Sequence, residues 1–369
     1  MAEGDSKPSR ASAAAPRFGT GFLRDIWYFA ALSGDLRPGK LQRYEILGEP
    51  ILLGRKHDGE IYALRDVCPH RAAPLSAGRL VRDGAGGEEV VECPYHGWRF
   101  RVDGVCSAIP SMVEDQQVDV GRIRVRAYPV AESQGLVFVW MTSAPRGDGE
   151  PDGPPPQIPG IVGGKPKLVD RMVFDAHIDH AVVGLMDPAH GPYVHQNWWW
   201  RSPASQHAKA KTFEAREAGF AMVRHPPSKN SYAYRLLGGA PLTEIVFRLP
   251  GLRWEHIEVG PRQVLSLTCL TPVDETHTRI TQVMWSDHWV FSLLKPVIAS
   301  GARRFLRQDA TMVNLQNQGL AYDATLLWID DADRQAKWYQ ALKKEWTASR
   351  TEGRAFVNPV DGGVLRWRS

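Results

Sequence analysis

Apolar and polar positions follow two different rhythms along the chain. Up to about residue 141 the apolar residues come in short runs broken by turn residues. ILLGRKHDGEIYAL (51–64) sets two apolar runs on either side of His57-Asp58-Gly59, FRVDGVCSAI (100–109) turns at Asp103-Gly104, and GLVFVWM (135–141) is a buried-type run. Such runs, bounded by Gly and Asp, predict hairpins and a small antiparallel β module. Further on, TEIVFRL (243–249), LRWEHIEV (252–259), QVLSLTCLT (263–271) and TRITQVMW (278–285) read as longer strands, with the turn VDETH before the last. Residues 290–322 and 330–349 then read as helices. In the second, Trp338, Leu342 and Trp346 recur on one face, and Asp330-Asp331 can cap its start. A sheet followed by helices predicts an α+β fold.

Between the two rhythms lies APRGDGEPDGPPPQIPGIVGGKP (144–166), dense in Pro and Gly, a linker. The predicted organisation is a disordered tail over 1–24, rich in Ser, Ala and Pro, a β domain over 25–143, the linker over 144–166 and an α+β domain over 167–369. No internal repeat is present. A chain of 369 residues, with 43% hydrophobic and 23% charged residues, buries a core without help from a metal or disulfides. Any metal ligands therefore serve chemistry. The net charge of +4 is too small and too dispersed for a nucleic-acid-binding surface. No apolar run reaches the roughly 18 residues that span a membrane, and the N-terminal residues, with Glu3 and Asp5, do not form a secretory signal. Only four cysteines are present (Cys68, Cys93, Cys106 and Cys269), which fits a reducing cytoplasm and excludes a disulfide scaffold.

Two of those cysteines carry the first chemical signal. Cys68-Pro69-His70 is C-x-H, and Cys93-Pro94-Tyr95-His96 is C-x-x-H, each in a loop after a strand-like run. Two thiolates and two imidazoles make a four-ligand site. Structural zinc is one reading, but zinc loops usually pair Cys with Cys and His with His, whereas each arm here mixes the two. Mixed arms suit a [2Fe–2S] cluster with both cysteines on one iron and both histidines on the other. Cys106 and Cys269 read as inert core thiols.

CPHRA and CPYHGW resemble the two cluster-binding loops of Rieske proteins. No extra cysteine stands in either loop, which resembles the oxygenase and ferredoxin branch rather than the respiratory one. Trp98 is expected to pack over the cluster. The segment between the loops is longer than is usual in that family, the surplus being RDGAGGEE, a surface insertion that costs little loop entropy.

A ferredoxin would stop near residue 145. Here the chain continues into MDPAHGPYVHQNWWW (186–200). A helix running to His190 and ended by Gly191-Pro192 would let His195 turn back beside His190, with Asp187 on the same face. This string resembles the D-x-x-H-x-x-x-x-H motif of Rieske non-haem iron oxygenases. That resemblance implies a mononuclear Fe(II) held by His190, His195 and a distant aspartate in a facial triad. Asp309, in FLRQDATMVNLQNQ, is the expected third ligand, on a face marked by Phe305, Met312, Val313 and Gln316; Asp287 and Asp323 are the fallbacks. The resemblance also implies that Asp187 bridges electrons from a cluster histidine of a neighbouring subunit. His177 and His180 form a rival pair, and one of Trp198, Trp199 and Trp200 is expected to line the pocket or a subunit contact.

The resemblance, from about residue 25 to 345, implies a Rieske module joined to a helix-grip catalytic domain in a homotrimer. It implies an enzyme that uses O₂, with electrons from NADH or NADPH delivered by a reductase and in some systems a ferredoxin. The expected reaction is mono-oxygenation of an aromatic or other hydrophobic small molecule, including O- or N-demethylation. Ring dihydroxylation, a chlorophyll-catabolic type of oxygenation and, from other classes, a pure Rieske electron carrier or a zinc-stabilised binding protein stay open. The pocket is expected along residues 230–290.

Overall fold

The structure, a computed structural model, describes residues 17–369 except 85–86, 114, 145–148, 162–163, 197–201, 229–233, 235–236 and 323. The N-terminal part is built from β1 (Ile26–Leu32), β2 (Leu41–Ile46), β3 (Glu49–Arg55), β4 (Ile61–Arg65), β5 (Arg79–Arg82), β6 (Glu89–Glu92), β7 (Arg99–Phe100), β8 (Cys106–Ala108), β9 (Ala127–Tyr128), β10 (Val130–Ser133) and β11 (Leu136–Met141). They form three sheets, ordered β1-β11-β10, β2-β3-β4-β9 and β5-β6-β7-β8. The turn at His57-Asp58-Gly59 joins β3 to β4 in antiparallel register, Arg55 opposite Ile61. The surplus RDGAGGEE spans the β5–β6 hairpin, where Arg82 pairs with Glu89.

The remainder is one large sheet with helices. It comprises β12 (Leu168–Phe174), α1 (Ile178–Met186), α2 (Gly191–Val194), β13 (Ala208–Arg216), β14 (Gly219–His225), β15 (Leu242–Arg248), β16 (Leu252–Val259), β17 (Arg262–Asp274), β18 (His277–Ser286), α3 (Trp289–Leu293), α4 (Lys295–Leu320), α5 (Arg334–Glu352) and β19 (Gly363–Arg368). The eight strands run in the order β12-β18-β17-β16-β15-β14-β13-β19. The fold is α+β, with an antiparallel sheet and few helices.

Strand periodicity explains how the two parts fit. Successive side chains on a strand point to opposite faces. One face of the large sheet presents Ala221, Val246, Trp254, Leu265, Leu267, Cys269, Val283 and Trp285, and these share a core with Trp27, Phe29, Phe138 and Trp140 of β1 and β11. The residues between them point the other way. There, Phe213, Phe220, Phe247 and Ile280 join a core with Trp338, Tyr339 and Leu342 of α5. Phe220 lies 5.3 Å from Trp338, centroid to centroid, and Phe247 meets Tyr339 edge-on at 5.5 Å.

Three details depart from the sequence expectation. Residues 17–24, expected in the tail, are tied down where described: Leu23 is buried, Gly19 N–H donates to Asp179 at 2.8 Å, and Trp346 Nε1 donates to the Arg24 carbonyl at 3.0 Å. The Pro/Gly-rich stretch is docked too. Ile158 is completely buried in the core between the β1 sheet and the large sheet, and it exchanges two hydrogen bonds with the Gln134 amide at 2.7 and 3.0 Å. α5 begins at Arg334 with Asp333 in the capping position. Asp330 instead pairs with Lys337 at 2.6 Å, and Asp331 sits at φ 62°, so neither caps the helix as expected. No helix among the described residues is long and apolar enough to cross a membrane.

A buried ion pair ties the N-terminal segment, α1 and α5 together. Asp179 has no exposure. Lys343 Nζ reaches both of its oxygens at 2.6 and 2.7 Å, and the Tyr339 hydroxyl donates at 2.7 Å. Removing one partner leaves a buried charge uncompensated, a loss of about 3–5 kcal/mol. Asp179→Ala is therefore expected to lower the thermal midpoint sharply, and Asp179→Ala with Lys343→Met to recover most of it. Calorimetry of the two variants checks this; an equal loss in both would refute the ion-pair account.

Candidate active site

The first constellation comes from two loops of the same shape. Cys68 to His70 follow β4, and Cys93 to His96 connect β6 to β7. In each loop the cysteine N–H donates to the carbonyl five residues on, Ala73 at 2.9 Å and Trp98 at 2.8 Å. In each, the cysteine carbonyl accepts from the residue four on, Ala72 at 2.9 Å and Gly97 at 3.1 Å. That residue sits at positive φ both times, 58° and 70°. Glycine adopts this freely; alanine does so at a cost the surrounding bonds must offset.

The donors are sorted by depth. Cys68 and Cys93 are buried, while His70 is exposed and His96 half-exposed. The two imidazole rings lie 4.6 Å apart, and the Trp98 indole stacks on His70 at 4.7 Å and 5°. Burial, and then the neighbouring Cys93, push the Cys68 thiol up to about 11. Burial, and then His70, lower the His96 imidazole. A buried thiol of this kind becomes a thiolate when a cation replaces its proton. Two inner sulfurs and two outer nitrogens fit a [2Fe–2S] group with an inner and an outer iron. Burial raises Cys106 and Cys269 as well, as expected of core thiols.

The second constellation is built differently from the sequence expectation. α1 ends at Met186, not at His190. Asp187 precedes Pro188 and adopts an extended ψ of 120°, because proline disfavours the helical conformation in the residue before it. Gly191-Pro192 opens α2 rather than closing α1, with Pro192 in the first turn where its missing N–H costs nothing. His190 and His195 thus bracket a single helical turn, one at each end.

α4 supplies the rest. Its buried side carries Leu306 and Val313; Met312 and Gln316, expected to mark the inward face, are exposed. Asp309 lies between the buried positions. His190 Nε2 and His195 Nε2 are 3.1 Å apart, and Asp309 Oδ1 lies 3.1 Å from His195 Nε2 and 3.6 Å from His190 Nε2. Ligands at about 2.1 Å from one ion, at angles between octahedral and tetrahedral, lie roughly 3.0–3.4 Å from each other. Two of the three separations fall in that range and the third lies 0.2 Å beyond it, and among the described residues these three form the one such His/Cys/Asp/Glu group. The Phe305 ring packs on His195 at 4.4 Å, and the Gln308 amide oxygen meets His195 Nδ1 at 3.1 Å. An amide oxygen only accepts, so His195 carries its proton on Nδ1 and offers a bare Nε2.

Asp187 stands beside this group. Its Oδ1 accepts from Ala189 N–H at 2.7 Å, and its Oδ2 is 3.6 Å from His190 Nδ1. Burial opposes a charge on His190, but Asp187 and then Asp309 outweigh it and raise its pKa above the ordinary value. A metal ion arriving there displaces that proton. The rival residues are elsewhere. His177 caps α1, accepting from Asp179 N–H at 3.2 Å, and its Nε2 faces the Gly21 carbonyl at 3.0 Å. His180 meets Phe18 edge-on. Asp287, just past β18, accepts from Gln263 N–H at 2.7 Å. Asp323 and Trp198, Trp199 and Trp200 lie outside the described residues.

The three ligand-type residues line a cavity of about 280 Å³ between the large sheet and α4. Its floor is made of cross-strand rows. Phe220, Phe247, Arg253, Thr268 and Gln282 lie opposite one another across five strands, and Met222, Ile245 and Glu255 form the next row. Residues 230–290 supply part of this floor, as expected. Lys209 and Lys211 of β13 also line it, and the sequence reading missed them. The available signal was KAKTF, which places Lys209, Lys211 and Phe213 on one face of a strand whose facing side is otherwise apolar.

Comparison with known proteins agrees with this architecture. Residues 26–129 match the Rieske [2Fe-2S] domain, and residues 174–348 match the vanillate O-demethylase oxygenase C-terminal domain. The chain joins these two modules, a member of the Rieske [2Fe-2S] domain family over the first and of the vanillate O-demethylase oxygenase C-terminal domain family over the second. Among curated proteins, the dicamba O-demethylase oxygenase component of Stenotrophomonas maltophilia is 35% identical over 47% of this chain and 48% of its own length. The 4beta-methylsterol monooxygenase of Methylococcus capsulatus is 34% identical over 48% of this chain and 46% of its own. Chlorophyllide a oxygenase of Chlamydomonas reinhardtii is 35% identical over 48% of this chain and 25% of its own. The chain spans between a quarter and about half the length of these relatives. Among solved structures, dicamba monooxygenase bound to dicamba superposes with a TM-score of 0.70 at 22% identity, covering 90% of this chain and 100% of that one. The NdmA QL mutant of Pseudomonas putida CBB5 with theobromine does so at 0.68 and 17%, covering 89% and 92%. At these identities the superpositions establish the fold alone.

Gln308→Ala is expected to weaken Fe(II) binding about 10–100-fold, the usual effect of removing the partner that orients a histidine ligand. Asp309→Ala should abolish binding, and Asp287→Ala and His180→Ala should leave it unchanged. Titration of metal-free protein with Fe(II) checks all four, with the visible absorption of the cluster showing that each variant is folded.

Proposed function

We propose that this chain is an O₂-dependent oxygenase that mono-oxygenates a small hydrophobic molecule, removing an O- or N-methyl group where the substrate carries one. The carrying observation is that His190, His195 and Asp309 converge on the wall of a cavity in a chain that also bears the Cys68/His70 and Cys93/His96 loops. A pure electron carrier needs only the loops. In this reading Cys68 and Cys93 hold the inner iron of the cluster and His70 and His96 the outer one. His190, His195 and Asp309 hold a mononuclear Fe(II). Bound there, the two groups supply single electrons and the activation of O₂, chemistry no side chain can perform.

The chain's own residues supply orientation and exclusion. Gln308 and Phe305 fix the His195 ring, and three ligands on one side leave the cavity side for O₂ and substrate. Phe220, Met222, Ile245 and Phe247 keep the cavity wall dry near the reacting carbon. Asp187, partly exposed and next to His190, is the bridge towards a cluster histidine of a neighbouring copy, within a homotrimer. The exposure of His70 and the apolar side chains Trp289, Leu293 and Val297, exposed on α3 and α4, support assembly through further copies. A reductase drawing on NADH or NADPH, alone or with a ferredoxin, delivers electrons. No disulfide joins the four cysteines, in keeping with a cytoplasmic setting. The relatives that remove a methyl group from dicamba or oxygenate a methylsterol favour this chemistry over ring dihydroxylation.

Pure protein is expected to be coloured and to hold three irons per chain. With reductase, NADH and a panel of methoxylated and N-methylated aromatics it should release formaldehyde in step with O₂ uptake; a cis-diol product would instead indicate ring dihydroxylation. Asp187→Asn should retain all three irons yet lose turnover by at least about a hundredfold, since one lost interaction in a relay costs several kcal/mol of barrier. Two irons per chain, or wild-type turnover in Asp187→Asn, would overturn the assignments.

A further inference from the structure

A second cleft, of about 730 Å³, opens on the other face of the large sheet. It lies between β12 and β18 at the sheet's edge and the β1–β2 segment of the N-terminal module. The alternation that seats Val283 and Trp285 against β1 and β11 continues along β18 to Thr281 and Arg279 on the same face. Gln282, between them in sequence, faces the cavity of His190, His195 and Asp309, so the sheet separates the two spaces. Arg171 of β12 stands opposite Thr281. That sets it diagonally beside Arg279, where two like charges on one face are unfavourable.

The charges of this cleft do not cancel. Arg37, Lys40, Arg43, Arg171 and Arg279 line it against Asp35 alone. Arg37 and Lys40 are exposed; they need no partner and add only positive potential. Arg43 Nη1 already meets Asp66 at 3.0 Å, and Asp35 is taken by Arg171 at 2.5 Å. Arg279 is left. It is half-buried, its Nη1 is buried with no hydrogen-bond partner, and among the described residues no carboxylate comes within ion-pair distance. Its guanidinium lies over the Tyr44 ring, 5.6 Å from the centroid. Burial lowers its pKa; Tyr44 and Glu45 oppose the shift from a distance, and Arg171 adds to it. The neutral groups beside it are engaged, the Gln42 amide donating to the Asp35 carbonyl at 2.5 Å and accepting from the Tyr44 hydroxyl at 2.9 Å. A half-buried cation with a like charge beside it and no opposite one is destabilising. An anion in the cleft removes that cost.

We propose that this cleft binds a phosphate-bearing small molecule, its oxygens held by the guanidinium forks of Arg279 and Arg171 and drawn in by Lys40 and Arg37. Planar forks match phosphate oxygens two at a time, and several cations against one acid favour a multivalent anion over a monocarboxylate. A cleft of this volume admits a small molecule. Arg279 is half-buried while Arg37 and Lys40 are exposed, so the unmatched charge is set back from the surface, where the flat face of an acidic protein would not reach it. With the sheet between the cleft and the ligand-type residues, the bound molecule is an accessory ligand and not the one oxygenated. The cleft would bind it whether or not the chain oxygenates anything.

Full-length protein carrying its cluster is titrated calorimetrically with inorganic phosphate, pyrophosphate, ADP and, as a monovalent control, acetate. Hydrogen bonds to charged groups are strong enough that pyrophosphate and ADP should bind at least about tenfold more tightly than acetate, with affinity falling as salt rises. Arg279→Met should lose at least that factor, Arg279→Lys part of it, and Asp309→Ala none. Without anion, Arg279→Met should melt at a higher temperature than the wild type, a gain that a misfolded variant cannot give. Pyrophosphate should raise the wild-type midpoint and leave that of Arg279→Met unchanged. ADP tighter than pyrophosphate identifies an ester whose organic body lies along Phe29 and Tyr44, and the reverse order a free oxyanion; either upholds the site. No binding of phosphate, pyrophosphate or ADP, acetate binding as tightly as pyrophosphate, unchanged pyrophosphate affinity in Arg279→Met, or a lower midpoint for that variant overturns it. Binding of an acidic ferredoxin, lost in Arg279→Met while no phosphate binds, would assign the face to protein docking instead.

Discussion

Everything in this molecule depends on a sheet whose central strands are covered on both faces. In β16, Leu252 and Trp254 point into the core shared with β1 and β11, while Arg253 and Glu255 point into the cavity. The same division runs through β14, β15, β17 and β18. A shift of one residue in β16 would put Arg253 and Glu255 into the interdomain core and Trp254 into the cavity. The register is thus held from both sides at once. The N-terminal module thus covers one face of the large sheet, and the proline-rich stretch that joins the two is itself part of the shared core through Ile158.

On this frame the two ligand sets solve opposite problems. The loops carrying Cys68 and Cys93 must hide sulfur and expose nitrogen, and two copies of one backbone turn do so. The mononuclear set must gather three side chains far apart in sequence. Asp187-Pro188 stops α1, Gly191-Pro192 starts one helical turn, and that turn spaces His190 and His195 so that Asp309 of α4 can meet both. Gln308 and Asp309, adjacent in sequence, both act on His195, one on each ring nitrogen. A helix can do this because His195 lies at its side, where neighbouring residues diverge around the ring.

Much of this was legible in the sequence, for identifiable reasons. The late strands alternate so regularly that period and burial agree, and β15 to β18 fall where the apolar pattern places them. The ligand-type motifs are local, so their residues could be named before any fold was known. That Asp309 would lie beside His190 and His195 was expected from the resemblance; its own helix pattern pointed to a face one position away, because Met312 is exposed and Leu306 and Val313 are buried. The helix boundary at Asp187 was misplaced because Pro192 drew attention from Pro188, although both prolines act on the chain. The docking of residues 17–24 and of Ile158 was not legible, since composition reports flexibility of the free chain and not the contacts that remove it.

The lysines of β13 were the least visible feature of the cavity. On an alternating strand, Lys at an inward position reads as a register error unless the space it faces is polar. Here Lys209 and Lys211 are inward because β13 lies near the sheet's edge, where the floor passes from the apolar rows of β14 and β15 to the end of the cavity. His190, His195 and Asp309 sit on the opposite wall, at the two ends of α2 and on α4, so one wall of the cavity gathers ligand-type side chains and the other ends in amines, a polarity that the apolar rows between them do not share.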